Sequence, residues 1–395
     1  MARVLCAWEF GGDLGHVRRL LPIAAELRLL GHEAIFAFRD SFHLDAVHAR
    51  GFDGFVAPLL RAPTAVNPSP ISHSDILLNL GFDDRHALAG ALRAWHSLLD
   101  LVRPDLLLAD YAPTALVAAR AAGLPRATIG SGFSLPLDRD PLPALRPWLP
   151  SDEGVLRAID ARLVNAIRAA MNGAQESISL ARDIFDAQAH LLCTFAELDP
   201  FGPREGASYL GPNADAVGGV DVRWQGESGP RVFAYLKPRG PRFAALLAGL
   251  RGCGAEVIVA APGLPATEAL AASAGSMRVV PDAVNLDPIL AQASLCVSHA
   301  GPGLAARALI AGIPMALLPM QLEQFLVARQ LAGGGNAVLV SPEEPLPELT
   351  PWFEGLLARD DLRVAARERA GAYRGYSFGD AARRAARRVA EVAGA

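Results

Sequence analysis

Two histidines stand at strand-to-helix transitions, where side chains can reach a ligand. His16 lies in GGDLGHVRRLLPIAAEL, Gly11 to Leu27, directly behind the apolar run RVLCAWEF. Imidazole as a side-chain type titrates near pH 6.5, so a histidine at this loop can take a proton at neutral pH. The competing reading is a capping or surface histidine. A glycine cradle for phosphate needs no imidazole, and Gly11, Gly12 and Gly15 have the wrong spacing for G-x-G-x-x-G. Asp40 also lies beyond the distance of about 20 residues at which a dinucleotide site places its acid. Asp110 closes the strand LLLAD and arrives at the same sheet edge. A carboxylate there would fix the ring tautomer and support the charge when the ring is protonated, although Asp110 also fits an ordinary helix N-cap.

The second histidine, His299, ends a strand in SHAGPGLAARALIAGIPMALLPMQLEQFLVAR, Ser298 to Arg329. Small residues turn the chain through Gly301 and Gly303 into an alanine-rich helix. Such a helix start offers unpaired N–H groups to a diphosphate, with Ser298 and His299 beside them. The alternative is a strand-to-helix turn softened by glycine. After the next strand come Glu323 and Gln324, which could bind hydroxyls. Lys237 follows the strand RVFAYL, and it is the one lysine among 37 basic residues. A compact ammonium there could reach the same phosphates or face solvent, since lysine and arginine are not interchangeable.

These positions imply the scaffold. Short apolar runs alternate with segments of helical period, the pattern of parallel sheets with crossover helices. Strands are expected at RVLCAWEF, EAIFAF, FVAP, LLLAD, RATIG and LLCTF, then at RVFAYL, EVIVAAP, MRVV, LCVSH, PMALLP and AVLV. Helices are expected near 18–30, 41–50, 75–102, 113–122 and 152–189. The fold class is α/β, with two doubly wound Rossmann-like domains facing across a cleft. Ligands in such sheets bind outside the carboxyl ends of the strands. The expected divisions are an acceptor-binding domain over 1–205, a linker over 206–219, a donor-binding domain over 220–374 and a C-terminal helix over 375–395 that returns to the first domain.

Bulk composition narrows the function classes. The 395 residues are 51% hydrophobic, enough for two cores. A net charge of −4 gives no basic surface for nucleic acid. Cys6, Cys193, Cys253 and Cys296 are far apart and without metal-ligand spacing, so they read as buried thiols of a reducing compartment. No stretch reaches the roughly 18 apolar residues of a membrane span, and no signal peptide is legible. The expected location is cytoplasmic, with membrane-surface contact left open.

At GHVRRLLPIAAELRLLGHEAIFA, RPDLLLADYAPTALVAARAAGLP and SHAGPGLAARALIAGIPMALLPMQLEQ the sequence resembles the GT-B glycosyltransferases, in the group of UDP-glucuronosyltransferase-like and glycopeptide-antibiotic enzymes. The resemblance runs end to end and is dense in those three stretches. It implies inverting transfer from a nucleotide diphosphate sugar as co-substrate, with no cofactor and no metal. His16 would be the base and Asp110 its partner. The donor would meet Lys237, Ser298, His299, Gly301, Gly303, Leu304, Glu323 and Gln324. The acceptor, a small lipophilic molecule, would meet Gly12 and the variable segments 72–86 and 130–150, through Phe82 and Phe133. Departures fall in the donor site: Ala300 and Leu304 replace a glycine and a hydroxyl, and Arg307 replaces a ribose-binding glutamate, so either Lys237 or Arg307 supplies charge to a nucleotide held differently, or the donor is not the usual uridine nucleotide. Two alternatives are carried: a lipid-linked acceptor at a membrane surface, met by the Arg383, Arg384, Arg387 and Arg388 stripe, and a GT-B nucleotide-binding protein without transfer.

Overall fold

The computed structural model describes residues 1–12, 15–60, 67–171, 178–213 and 219–394. Two compact units emerge from it. One is Met1–Thr194 with Arg204–Ala214 and Phe378–Ala395, and the other is Phe195–Pro203 with Asp215–Ser377. The chain thus passes between units more often than a single linker over 206–219 requires, and 214–218 of that linker lie outside the described residues.

The first unit is a six-stranded sheet of β1 (Arg3–Trp8), β2 (Glu33–Phe38), β3 (Asp53–Val56), β4 (Leu106–Asp110), β5 (Arg126–Gly130) and β6 (Ala189–Leu192). All pairs are parallel, in the order β3-β2-β1-β4-β5-β6. Parallel strands buried on both faces need continuous apolar runs, and β4 and β5 are buried at every position. The helices are α1 (Gly15–Leu29), α2 (Leu44–His48), α3 (His73–Leu77), α4 (Arg85–Val102), α5 (Pro113–Ala121) and α6 (Glu153–Ala170). Strand order reverses between β1 and β4, which makes their carboxyl ends the ligand crevice of such a sheet.

The second unit repeats the plan with β7 (Arg231–Tyr235), β8 (Glu256–Ala260), β9 (Met277–Val280), β10 (Leu295–Ser298), β11 (Met315–Leu317) and β12 (Ala337–Leu339). Its order is β12-β11-β10-β7-β8-β9, again parallel, so the reversal falls between β10 and β7. Its helices are α7 (Phe243–Gly252), α8 (Ala266–Ala272), α9 (Leu286–Leu290), α10 (Pro302–Ala311), α11 (Leu322–Gly333), α12 (Leu349–Ala358) and α13 (Asp360–Ala370). All twelve expected strands are present, within a few residues at their ends.

Two long helices differ from expectation. The segment 75–102 is divided, because Gly81 takes φ 111° in a π-helical turn over Leu78–Phe82 and Asp84 then caps α4 by accepting from the N–H groups of His86 and Ala87. Of the segment 152–189, the described residues form a helix over Glu153–Ala170 and a 3-10 turn over Ala181–Ile184, and 172–177 lie outside the described residues. The last helix, α14 (Phe378–Ala393), belongs to the first unit. Its alanine and valine face, Ala385, Ala386, Val389 and Val392, shares a core with Val17, Leu20, Ala24 and Leu27 of α1. On its outer side Arg383 pairs with Asp380, Arg388 pairs with Glu391 at 2.8 Å, and Arg384 donates to the Leu210 carbonyl. No helix among the described residues is long and apolar enough to cross a membrane.

Candidate active site

In the first unit the register fixes the chemistry. Trp8 and Asp110 are partners at the last rung between β1 and β4. Both therefore project to one face of the sheet, the face on which α1 begins. His16 enters between them: its ring stacks on Trp8 with centroids 4.9 Å apart and planes 19° from parallel, and its Nδ1 lies 2.9 Å from Asp110 Oδ1. The contact is close, but the N–H direction is off the line of a straight hydrogen bond. Catalytic hydrogen bonds commonly tighten only around substrate. Trp8 is itself fixed, its Nε1 donating to the Phe10 carbonyl at 2.7 Å.

Arg19 completes the cluster. One turn beyond His16, on the same face of α1, its Nη1 donates to Asp110 Oδ2 at 2.7 Å. Asp110 is fully buried, which pushes its carboxyl up, yet Arg19 and His16 more than offset this and the net shift is downward. An ionised carboxylate only accepts, so the ring proton belongs on Nδ1 and Nε2 is left bare. Among the described residues nothing hydrogen-bonds Nε2. Gly11 lies against it: at φ 89°, a side chain there would put Cβ 2.6 Å from Nε2. The sequence reading placed the acceptor against Gly12, where an added Cβ would meet nothing within 4 Å. It also passed over Trp8 and Arg19. For Trp8 the signal was present, as an aromatic at the end of the strand paired with LLLAD; for Arg19 the sequence offers two adjacent arginines, and only the folded register selects one.

The two segments expected to meet an acceptor are stitched to each other. Leu145 N–H donates to the Ile71 carbonyl at 2.8 Å, Ser74 and the Leu142 N–H both bond Asp160, and His73 Nε2 lies 2.6 Å from the Phe133 carbonyl. Burial pushes the His73 imidazole down to about 4, so it is neutral and donates through Nε2. Phe133 is half-buried beside it. Phe82 departs from expectation. It is fully buried in the core with Leu77, Leu88 and Trp95, because the π-helical turn directs it inward, and it presents no face to a ligand.

In the second unit α10 begins as expected. Gly301 is its N-cap and Pro302 its first residue, and no side chain caps the N–H groups that follow at Gly303 and Leu304. Cβ atoms added at Gly301 or Gly303 would meet nothing within 4 Å, so the approach is open. Ala300, where the resemblance leads one to expect glycine, has φ 60°, and Ser298 Oγ accepts from its N–H at 3.2 Å. His299 differs from the expected phosphate donor. Its Nδ1 donates to the Leu318 carbonyl at 2.7 Å and its Nε2 accepts the Lys237 N–H at 3.2 Å. Burial pushes its pKa down, with Lys237 adding to that, and the ring is a neutral tie between the ends of β10, β7 and β11.

The Lys237 side chain lines a cavity of about 220 Å³ with Arg242, Phe243, Met320 and Pro342. Gln324 is buried and its Oε1 accepts the Met320 N–H at 2.9 Å, while Glu323 sits in the first turn of α11. Neither lines that cavity. Arg307 is buried and ion-paired with Asp287 of α9, which engages the charge that was a candidate for phosphate. The four thiols are free and buried. Among the described residues no group of three His, Cys, Asp or Glu could hold a metal ion.

No family model and no curated protein matches the chain. Solved structures do match it. The glycosyltransferase of kitacinnamycin aligns at a TM-score of 0.73 with 18% identity, over 99% of both chains. The calicheamicin glycosyltransferase aligns at 0.66 with 17% identity, over 100% of this chain and 98% of its own. A spinosyn rhamnosyltransferase complexed with thymidine diphosphate aligns at 0.65 with 17% identity, over 94% of this chain and 95% of its own. The chain has the GT-B fold over its full length.

Proposed function

We propose that the protein is an inverting glycosyltransferase that moves a sugar from a nucleoside diphosphate sugar to a hydroxyl of a small lipophilic acceptor. One observation carries the reading: an imidazole whose Nδ1 faces a buried carboxylate, whose face rests on Trp8 and whose Nε2 has no hydrogen-bond partner among the described residues. The setting adds weight. The fold is that of proteins named as glycosyltransferases, among them a spinosyn rhamnosyltransferase solved both with thymidine diphosphate and with spinosyn aglycone.

In this reaction His16 Nε2 takes the proton of the acceptor hydroxyl while that oxygen attacks the anomeric carbon. The bond from that carbon to the diphosphate oxygen breaks, its electron pair leaves with the nucleoside diphosphate, and the configuration inverts. Asp110 stays ionised and supports the imidazolium, a positioned base being worth about 10²- to 10⁴-fold. The leaving charge falls to the Gly303 and Leu304 N–H groups, the positive end of α10 and the Lys237 ammonium, so the transfer needs no metal. His299 acts here by holding Lys237 and the β11 loop in place, not by donating to phosphate. Three of the four stripe arginines of α14, Arg383, Arg384 and Arg388, are engaged by acids and a carbonyl, which gives the membrane-surface reading no particular support.

A thermal-shift panel of UDP, dTDP and GDP tests the donor half. A ligand at 100 times its dissociation constant adds about 2.7 kcal/mol of stability. Silence from all three overturns the donor site. Turnover of nucleotide sugar by the native protein and its loss in His16→Ala, with nucleotide binding unchanged, tests the other half. Equal turnover by both proteins rules out the base.

A further inference from the structure

We infer that Glu9 is a positioning residue for the proton-accepting pair, clamping the end of β1 to the start of α5 so that Trp8 and Asp110 stay on either side of His16. The inference rests on the transfer reading above. Sheet pairing between β1 and β4 ends at Trp8 and Asp110. Beyond that rung the two chains part, one towards α1 and the other into α5. Glu9 bridges the parting twice. Its backbone N–H and that of Phe10 donate to the Tyr111 carbonyl at 3.4 and 3.1 Å, and its carboxylate accepts the N–H groups of Thr114 at 3.2 Å and Ala115 at 2.7 Å.

Helix capping alone does not account for this. The N-cap of α5 is Ala112, which offers no side-chain bond. A serine there would cap the helix locally and cheaply. The chain instead uses a carboxyl group that is 1% exposed, at a cost that shows in its proton affinity: burial pushes Glu9 up to about 8, against the pull of the Thr114 and Ala115 donors. Tyr111, next to Asp110, adds to the cost with φ 51°, a left-handed conformation that a residue with a Cβ adopts only when its surroundings hold it. What the costly arrangement achieves, and a local cap would not, is a fixed spacing between the residue after Trp8 and the residues after Asp110.

The test is steady-state kinetics on Glu9→Gln and on Glu9→Gln with Ala112→Ser, beside His16→Ala. Glutamine keeps the shape but has a single acceptor oxygen for two N–H groups, so one side of the clamp opens. The expected result is a kcat lowered roughly 10- to 100-fold, as for a small misplacement of reacting groups. Both KM values and the nucleotide thermal shift stay within twofold of native. Adding Ala112→Ser, which restores a cap to α5 but not the clamp, leaves kcat low. A kcat within twofold of native in Glu9→Gln overturns the inference, as does its recovery in the double variant or a parallel loss of nucleotide binding. If Glu9→Gln does not fold, Glu9→Asp, which draws the carboxylate back by one methylene, is read by the same criteria. Native turnover that His16→Ala leaves untouched is a failure of the transfer reading itself. Turnover abolished by His16→Ala but indifferent to Glu9→Gln is a failure of the clamp alone.

Discussion

His16 and His299 occupy matching places, each near the reversal point of a six-stranded parallel sheet and each at the entrance to a helix. Their chemistry is opposite because their partners differ. His16 has a carboxylate at one nitrogen and nothing among the described residues at the other, with 15% of its side chain exposed. His299 has a carbonyl at one nitrogen and a backbone N–H at the other, and burial keeps it neutral. A histidine that already donates once and accepts once has no proton traffic left to offer. Fold position selects where a histidine stands; the groups facing its two nitrogens decide whether it reacts or braces.

The largest expected effect divides the two directly. His16→Ala should lower turnover by about 10²- to 10⁴-fold while leaving the unfolding midpoint and nucleotide binding near native. His299→Ala should do the reverse, leaving the Leu318 carbonyl and the Lys237 N–H without their partner. The stability cost is about 1–3 kcal/mol for each buried group left unmade, and the nucleotide-induced thermal shift should shrink with it. Should His299→Ala keep its stability and its nucleotide shift but lose turnover, the bracing role is wrong.

How far each site was legible follows from the same contrast. The alternation of apolar runs and helical segments predicted all twelve strands, because parallel strands buried on both faces must be apolar throughout. The places of His16 and Asp110 were legible as well, since one stands at the start of a helix and the other ends a strand at the same sheet edge. Arg19 was not: nothing in the spacing of RR after HV says which arginine turns inward until the register of β1 against β4 is known. Gly11 was passed over for Gly12 because the need for a glycine came from a ring more than one helical turn's reach away. For His299, sequence gave its place but not the Leu318 carbonyl, 19 residues on, that occupies its ring. Phe82 was misjudged for a related reason, since a π-helical turn shifts the buried face of a helix.

Charge separates the junctions next. Asp110 is held low by Arg19 and His16 against the upward push of burial. A carboxyl with a depressed folded pKa contributes stability above its unfolded value, here 3.8, and that stability is lost as pH falls through the folded value. Arg19→Met removes the strongest downward influence, so the folded pKa rises and acid unfolding should begin at higher pH. At neutral pH the buried carboxylate, left with His16 alone, should cost up to about 3 kcal/mol. Denaturation midpoints from pH 7 down to pH 3 measure both effects. A variant whose acid limb overlays the native one removes Arg19 from the cluster.

Glycine requirements differ too, by a smaller amount. Gly11→Ala meets the backbone penalty of φ 89° and a 2.6 Å approach to Nε2. The backbone term should cost about 1–2 kcal/mol and the displaced ring about 10-fold in turnover. Gly301→Ala, with φ −61° and open space, should be stabilising by a few tenths to 1 kcal/mol through the unfolded chain. Chemical denaturation and initial rates on the pair check this. Equal turnover in Gly11→Ala and native protein means the space over Nε2 is not where the acceptor enters.

The smallest effect concerns Ala300. Its left-handed φ of 60° costs a residue with a Cβ about 1 kcal/mol, and Ala300→Gly removes that cost. Two terms oppose the gain. Glycine loses more freedom on folding, by about 0.4–1 kcal/mol, and the Ala300 methyl is fully buried against the core of the second unit, so its removal forfeits about 0.8 kcal/mol of apolar burial. The net change should therefore lie within about 1 kcal/mol of zero, slightly towards loss. Nucleotide affinity should move less than twofold, because the Gly303 and Leu304 N–H groups belong to α10, whose geometry the turn already satisfies with alanine. The same backbone feature thus has opposite weight at the two junctions: at Gly11 an added methyl strikes His16 Nε2, and at Ala300 the methyl is already packed. A tenfold change in nucleotide affinity in Ala300→Gly, read by titration calorimetry, means instead that the strained turn aims the α10 donors.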